Sequence, residues 1–350
     1  MMNMAKKIGF ISLGCPKNQV DSELMLKKLA DAGYEIIDTP IGADAVIINT
    51  CGFIEAAKQE SIDNIFEMAG YKEDGDVGKI IVVGCMAERY REEILKEMPE
   101  VDAVAGIGAN GDIVSFVDSV FEGKENMLFP EKEKLPLCGE RLLTTPSYRA
   151  YLKIADGCSN CCTYCAIPKI RGPQRSRPIE SIVEEAKRLA SDGVKELTVI
   201  AQDTTRYGDD IYGEPKLDEL LKQLDVIDGI EWIRLLYCYP DRLTDSVLET
   251  MRDSKHVLHY IDLPLQHANG RILKAMNRRG DSASLLALIG KIRDYMPDCV
   301  IRTTFMTGFP GEDDEAFNEL SEFVNAARFD RLGCFAFSPE EGTAAADMTE

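Results

Sequence analysis

The sequence predicts an α/β fold in two parts: an N-terminal doubly wound parallel sheet, then an open (β/α)6 partial barrel. Three observations predict it. Short apolar runs alternate with amphipathic stretches along nearly the whole length, the pattern of strands joined by crossover helices. The alternation breaks once, in a polar, proline-marked stretch over 124–143. A chain of 350 residues also has room for two domains.

The elements follow in order. KIGFISL (7–13) is a short apolar run of strand type. Over 18–33, Val20, Leu24, Leu26 and Leu29 fall on helical spacing, and Gly33 supplies a stop. Strands are expected at 35–39 and 45–50, a helix over 54–70, and a buried strand at 79–84. A polar helix over 88–97, a strand at 101–106 and a helix near 112–122 complete an N-terminal domain spanning 5–123. In the linker at 124–143, EKEK (131–134) and Pro136 interrupt any periodicity. The second domain, 144–350, repeats the alternation six times, with strands at 148–154, 196–202, 232–238, 258–263, 299–306 and 331–337. Helices lie between them, for example over 179–193 and 313–327. Six units are too few for a closed eight-unit barrel of ~250 residues.

Charge and composition narrow the function classes. Asp and Glu number 60 against 40 Lys and Arg, a formal net charge of −20. That disfavours a protein whose main task is gripping nucleic acid and suits a basic protein partner. No run approaches the ~18 apolar residues of a membrane helix, so no membrane association is expected. Lys6 and Lys7 followed by the apolar run to Gly14 imitate a leader. The run is at the short limit for a signal core, and the residues after it continue a fold, so the expected location is cytoplasmic. Eleven Cys stand against three His. An odd thiol count in a chain this long is not a disulfide scaffold; soft thiolates suit zinc or iron–sulfur clusters.

The densest thiol group is GCSNCCTYC, 157–165. It parses as C-x-x-x-C-x-x-C through Cys158, Cys162 and Cys165, or as two abutting pairs, Cys158/Cys161 and Cys162/Cys165. The second parse is a zinc pattern, but it wraps four ligands of one ion within eight residues. The first offers three thiolates to a four-iron cubane and leaves one iron open to a small molecule. A second group sits at strand ends: Cys15 after 7–13, Cys51 after 45–50 and Cys85 after 79–84. A cysteine at a strand end can simply pack. Three on the ligand-binding edge of one parallel sheet point to a second three-thiolate centre.

C-x-x-x-C-x-x-C after the first strand of a βα barrel resembles the radical S-adenosylmethionine (SAM) superfamily. That resemblance implies that SAM chelates the open iron and is cleaved to a 5′-deoxyadenosyl radical. The cofactors then carry the chemistry, and no side chain is assigned a catalytic role. SLGCPKNQVDSE (12–23), NTCGFIEAAKQES (49–61) and VGCMAERY (83–90) resemble the methylthiotransferase family of these enzymes. This likeness implies two [4Fe–4S] clusters, an auxiliary one on Cys15, Cys51 and Cys85 and a SAM-binding one on Cys158, Cys162 and Cys165. VIAQDTTRYG (199–208), YCYPD (237–241), DLPLQHANGRILKAMNRRG (262–280) and RTTFMTGFPGE (302–312) are similar to the subgroup that modifies small-subunit ribosomal protein S12. That implies addition of a methylthio group to the β-carbon of an aspartate, by a monomer served by a separate electron donor. Relatives that modify adenosine in tRNA, the only reading with a nucleic acid partner, usually carry Gln-Asn where this chain has Gln202-Asp203, and lack the Gln266-His267 pair. A non-catalytic, metal-binding ribosome-associated protein is the reading from another class. Family members continue into a C-terminal TRAM domain, which is expected to be absent from a chain that stops at Glu350.

Gln202, Asp203 and Arg302 lie at or near strand ends and are candidates to hold SAM or substrate. KIRGPQRSR (169–177) reads as a solvated loop that could also meet substrate or an electron donor. Cys238, Cys299 and Cys334 read as core thiols, and Cys161 as a non-ligand. His267 reads as a cavity-facing or structurally hydrogen-bonded residue.

Overall fold

In the first half, the apolar runs become six parallel strands: β1 (Lys7–Ser12), β2 (Glu35–Ile37), β3 (Ala45–Thr50), β4 (Ile80–Gly84), β5 (Ala103–Ala105) and β6 (Met127–Leu128). Their order is β2-β1-β3-β4-β5-β6, with every neighbouring pair parallel. The connecting helices are α1 (Pro16–Asp31), α2 (Glu55–Glu73), α3 (Cys85–Tyr90), α4 (Glu92–Glu97) and α5 (Ile113–Glu122). Alternate strand residues feed two cores. Ala45, Ile47, Ile81 and Val83 pack with Met25 and Leu29 of α1 and Phe116 and Val120 of α5. Val46, Ile48, Ile80 and Val82 pack with Ile65 and Met68 of α2 and Met86 of α3. Both sheet faces are covered, which is why the strands read as continuous apolar runs rather than alternating ones.

The computed structural model describes residues 5–348. This first unit runs to Thr144 and also includes Ile167–Pro173, which hold a short helix α6 (Ile167–Arg171). Residues 124–143, expected as a linker, contribute β6, which pairs with β5 through Val104–Met127 and Ala105–Leu128. The polar helix expected over 88–97 is two helices. The chain breaks at Arg91, which takes a left-handed φ of 44°. Helix α1 starts at Pro16, two residues before the expected boundary, because proline at the first helical position costs no hydrogen bond.

The second unit comprises Thr145–Ala166 and the residues from Gln174 onward. Its strands are β7 (Arg149–Lys153), an antiparallel pair β8 (Ala155–Asp156) and β9 (Arg175–Ser176), then β10 (Glu196–Ile200), β11 (Trp232–Leu235), β12 (Val257–Asp262), β13 (Val300–Thr307) and β14 (Arg331–Ala336). The main sheet is parallel in the sequential order β14-β13-β12-β11-β10-β7. Among the described residues, no pairing joins β14 to β7, so the barrel is open, with six strands as expected. Cys238 and Cys299 are core thiols. Cys334 is not: it is exposed, because β14 is an edge strand whose residues are largely open to solvent. Among the described residues, no helix is long and apolar enough to cross a membrane.

Phe116, 1% exposed, fills the space between α5 and the sheet. Phe116→Ala is expected to cost about 3–5 kcal/mol, read as a fall in the midpoint of urea unfolding.

Candidate metal centres

In the first unit the strand order reverses between β1 and β3, the position where open parallel sheets bind ligands at their carboxyl edge. Cys15 follows β1 and Cys51 follows β3. Cys85 opens α3 directly after β4. Backbone geometry brings the three loops together. Gly14, at φ +88°, lies so close to Cys51 that a Cβ there would stand 2.7 Å from the Cys51 Cβ. A Cβ on Gly52 would stand 2.8 Å from the Met86 Cα. Thr50 Oγ1 donates to the Val83 carbonyl at 2.6 Å, tying the ends of β3 and β4. Ser61 of α2 accepts from the Cys51 amide at 3.1 Å.

A buried polar hub stands behind these thiols. Asn18, on the first turn of α1, donates to the carbonyls of Leu13 (2.8 Å), Asn49 (3.3 Å) and Thr50 (3.2 Å), clamping the exits of β1 and β3. Arg171 of α6 is buried. Its Nη2 donates to Asp21 Oδ2 at 2.9 Å, to Asn18 Oδ1 at 3.2 Å and to Cys85 Sγ at 3.5 Å. The three thiols also sense one another's charge and that of Arg171. Burial pushes Cys51 up and Cys85 up to about 12. At Cys15 burial also acts upward, but Lys17, Arg171 and the amides of Asn18 and Lys17 outweigh it and hold the thiol below its ordinary value. Three converging thiols with a buried cation fit an anionic iron–sulfur cluster, whose charge would otherwise be costly to bury. Among the described residues, no three His, Cys, Asp or Glu side chains are spaced for a single metal ion. A cubane makes a different demand, since each thiolate binds its own iron.

In the second unit, the loop 157–165 is held from outside rather than built on separate strands. Gly157 turns at φ +76° and donates to Asp156 Oδ1 at 2.8 Å. Asn160 donates to Asp203 at 2.7 Å and accepts from Arg206 at 3.1 Å. Thr163 donates through its amide to the Met276 carbonyl (3.2 Å) and through its hydroxyl to that of Ala275 (2.9 Å). Asn277 reaches the Cys161 carbonyl at 2.9 Å. Cys161 itself is exposed at φ 53°. Cys158 is pushed up to about 11, burial being the largest cause, with Cys162 among the charges it senses. Tyr164 senses both Cys162 and Cys165. Arg278 is buried beside the set, its Nη1 3.9 Å from Cys162 Sγ and its guanidinium 4.2 Å from the Tyr239 ring centroid.

The remaining candidates divide. Gln202 donates to Asp156 Oδ1 at 3.1 Å. Its Oε1 is buried with no partner among the described residues, and a bound donor such as the SAM ammonium would satisfy it. Asp203 is buried and accepts from Thr205 and from Asn160 of the cysteine loop. Arg302 lies within β13, half-exposed, 3.6 Å from Asp262. No described contact links it to the cysteine loop. The solvated-loop expectation for 169–177 fails at Arg171 and Arg177, which are buried and paired with Asp21 and Glu185. His267 is structural: its Nδ1 accepts from the Asn269 amide at 2.9 Å, and its Nε2 faces Glu312 at 3.5 Å. Reasoning from sequence missed Asn18 and Arg278; the only signal was their nearness along the chain to Cys15 and to the Gln266-His267 segment.

Comparisons with known proteins agree with this geometry. Residues 7–106 match the model described as "Uncharacterized protein family UPF0004", and 152–324 match the radical SAM superfamily. A methyltransferase, TsrM, from Kitasatospora setae, described as a radical S-adenosylmethionine enzyme, superposes with a TM-score of 0.70 at 11% identity. The match covers 94% of this chain and 73% of that one, a likeness of fold. The match over 152–324 gives the class of protein, a radical SAM enzyme. The ribosomal protein uS12 methylthiotransferase RimO of Desulforamulus reducens is 53% identical over 97% of this chain and 77% of its own length. That of Pelotomaculum thermopropionicum is 51% identical (99% and 78%), and that of Geobacter sulfurreducens 46% (100% and 79%). The chain belongs to the family of ribosomal protein uS12 methylthiotransferases.

Two outcomes follow from the buried polar groups. Arg171→Met removes the guanidinium that bonds buried Asp21, Asn18 and Cys85 and is expected to cost about 3–5 kcal/mol, measured by urea unfolding. Burial holds His267 below its ordinary pKa against the pull of Glu312. Below about pH 6.5 the unfolded chain therefore binds a proton that the native one does not. Stability should be full above that pH and decline as pH falls beneath it. His267→Asn should flatten this part of the Tm profile between about pH 7 and 5.5.

Proposed function

We infer that this chain is a radical SAM methylthiotransferase that adds a methylthio group to the β-carbon of an aspartate in ribosomal protein uS12. The observation that carries the reading is the gathering of Cys15, Cys51 and Cys85 from three strand ends around Arg171, in a chain that also holds the 158–165 cysteine loop. One thiol set would suffice to cleave SAM; a second serves sulfur chemistry.

In this reading Cys15, Cys51 and Cys85 hold the auxiliary [4Fe–4S] cluster, and Cys158, Cys162 and Cys165 hold the cluster that chelates SAM. The bound clusters and SAM supply the radical that opens an unactivated C–H bond, and the sulfur and methyl group that replace the hydrogen. The chain's own residues do the rest. Asn18 and Ser61 fix the thiol-bearing turns. Arg171 and Arg278 offset thiolate charge where solvent is excluded. Asp203 sets the loop through Asn160, and Gln202 offers its buried oxygen to SAM. Arg302, half-exposed on β13, is a substrate contact. The first domain covers the auxiliary cluster residues and the second the SAM site. The protein works in the cytoplasm as a monomer, with a separate electron donor, and its net charge of −20 favours a basic polypeptide substrate.

Cys162→Ala is expected to abolish SAM cleavage to 5′-deoxyadenosine. Cys51→Ala should still cleave SAM but add no methylthio mass to uS12 under mass spectrometry, and each variant should lose about half of the ~8 irons per chain. Methylthiolation by Cys51→Ala, or modification of a tRNA in place of uS12, would overturn the reading.

A further inference from the structure

Strands β13 and β14 lie side by side at one edge of the second unit's sheet. Along β13, Ile301, Thr303 and Phe305 are buried, and Phe305 meets Phe323 of the helix Asp314–Ala327. Side chains alternate along a strand, so Arg302 belongs to the opposite face. Register pairs Arg302 with Asp262 of β12 and with Arg331 of β14, and residues paired across strands share a face. Two arginines therefore stand on neighbouring strands, at one level and on one face. Arg302 is half-exposed, its Nε 3.6 Å from Asp262 Oδ1. Arg331 is exposed and has no acidic partner among the described ion pairs. The adjacent Asp330 accepts from the Ile301 amide at 2.9 Å.

Like charges directly opposite on a sheet are destabilising, so this pairing weakens the free protein and gains from an anion set between the two. Planar guanidiniums offer a carboxylate paired N–H donors. The level in the sheet is also informative. Asp262 ends β12, and its Oδ2 accepts from the Tyr237 amide, just past β11, at 3.0 Å. Carboxyl ends of barrel strands are where ligands meet the reacting groups, and Arg302 stands at that level. Arg331 lies beside it on the edge strand, the open side by which a polypeptide can enter. Phe335, four residues further along β14 and on the same face, is 60% exposed and offers an incoming chain an apolar contact.

We propose that Arg302 and Arg331 together bind the side-chain carboxylate of the target residue and so select aspartate over asparagine. The inference rests on, and deepens, the reading of this chain as a methylthiotransferase of an aspartate in uS12. The β-carbon of aspartate is bonded to the carboxylate carbon, so a clamp on the two oxygens also places the C–H bond that reacts. Asparagine has the same shape but turns an N–H donor toward guanidiniums that can only donate. The net charge of −20 draws a basic polypeptide in from a distance, and the arginine pair takes its one acidic target. The carboxylate of SAM would suit the same donors, but no described contact links Arg302 to the cysteine loop.

The test uses the cluster-loaded full chain with uS12 and with uS12 carrying asparagine at the target position. Wild type should modify the aspartate form about tenfold or more faster, in kcat/KM, than the asparagine form. R302Q and R331Q should each lose about tenfold or more on the aspartate form and narrow the preference to within about twofold. R331Q should keep dithionite-driven SAM cleavage without substrate, and the KM for SAM, within about twofold. Its Tm should hold or rise, because the change relieves a like-charge pair. No preference in wild type, or an undiminished preference in R331Q, would overturn the proposal. So would a raised KM for SAM in R331Q, which would assign the pair to the SAM carboxylate, or a fall in its Tm that tracks the lost activity. Failure of wild type to modify either form would instead overturn the underlying functional reading.

Discussion

The first unit depends on a buried ion pair, Arg171 with Asp21, and on the asparagine beside it. Both charged side chains are almost wholly removed from solvent, an arrangement that survives only with excellent geometry and full hydrogen bonding. Asn18 supplies the remaining bonds. It accepts from Arg171 and donates to the carbonyls that end β1 and β3. The hub therefore satisfies a charge and fixes two thiol-bearing turns together. Its cation comes from α6, a helix that follows the second cysteine set in sequence but belongs to the first unit. The segment that leaves one set of thiols completes the surroundings of the other.

The two cysteine sets reach comparable ends by different routes. In the first unit, rigid strands deliver one thiol each, and close glycine contacts at Gly14 and Gly52 let the turns meet. In the second, one loop carries all three, and its irregular backbone must find partners elsewhere. They come from strand ends and from 275–278: Asp203 and Arg206 through Asn160, and Ala275, Met276 and Asn277 along the loop. Each set also has one buried arginine within reach of one sulfur, Arg171 at Cys85 and Arg278 at Cys162. In each case the guanidinium would offset the charge of a sulfur that binds metal as a thiolate in a dry site.

The strands and the thiol spacing were legible because their signals are local. Short continuous apolar runs such as IIVVG fit strands covered on both faces, and the cysteine positions are read by counting. Departures arose where tertiary contacts outweighed local pattern. Arg171 and Arg177 sit in a basic, proline-bearing run that by composition belongs in water, yet Asp21 and Glu185 draw them inside. Cys334 lies in an apolar strand but at the sheet's edge, where among the described residues β13 flanks it on one side alone. Residues 124–143 look like a spacer, yet Met127 and Leu128 find an open sheet edge beside β5.

By itself the sequence determined the class of fold, the number of strand–helix units and the two sets of three cysteines, since periodicity and spacing along the chain express these directly. Only the tertiary structure decided that strand order reverses between β1 and β3, so that Cys15, Cys51 and Cys85 share one edge. It also decided that Asp203 is bonded to Asn160 of the cysteine loop, and that scattered cations from 206 to 279 line one cavity. These outcomes depend on which distant segments become neighbours, and burial energies and hydrogen-bond satisfaction across the whole fold settle that choice.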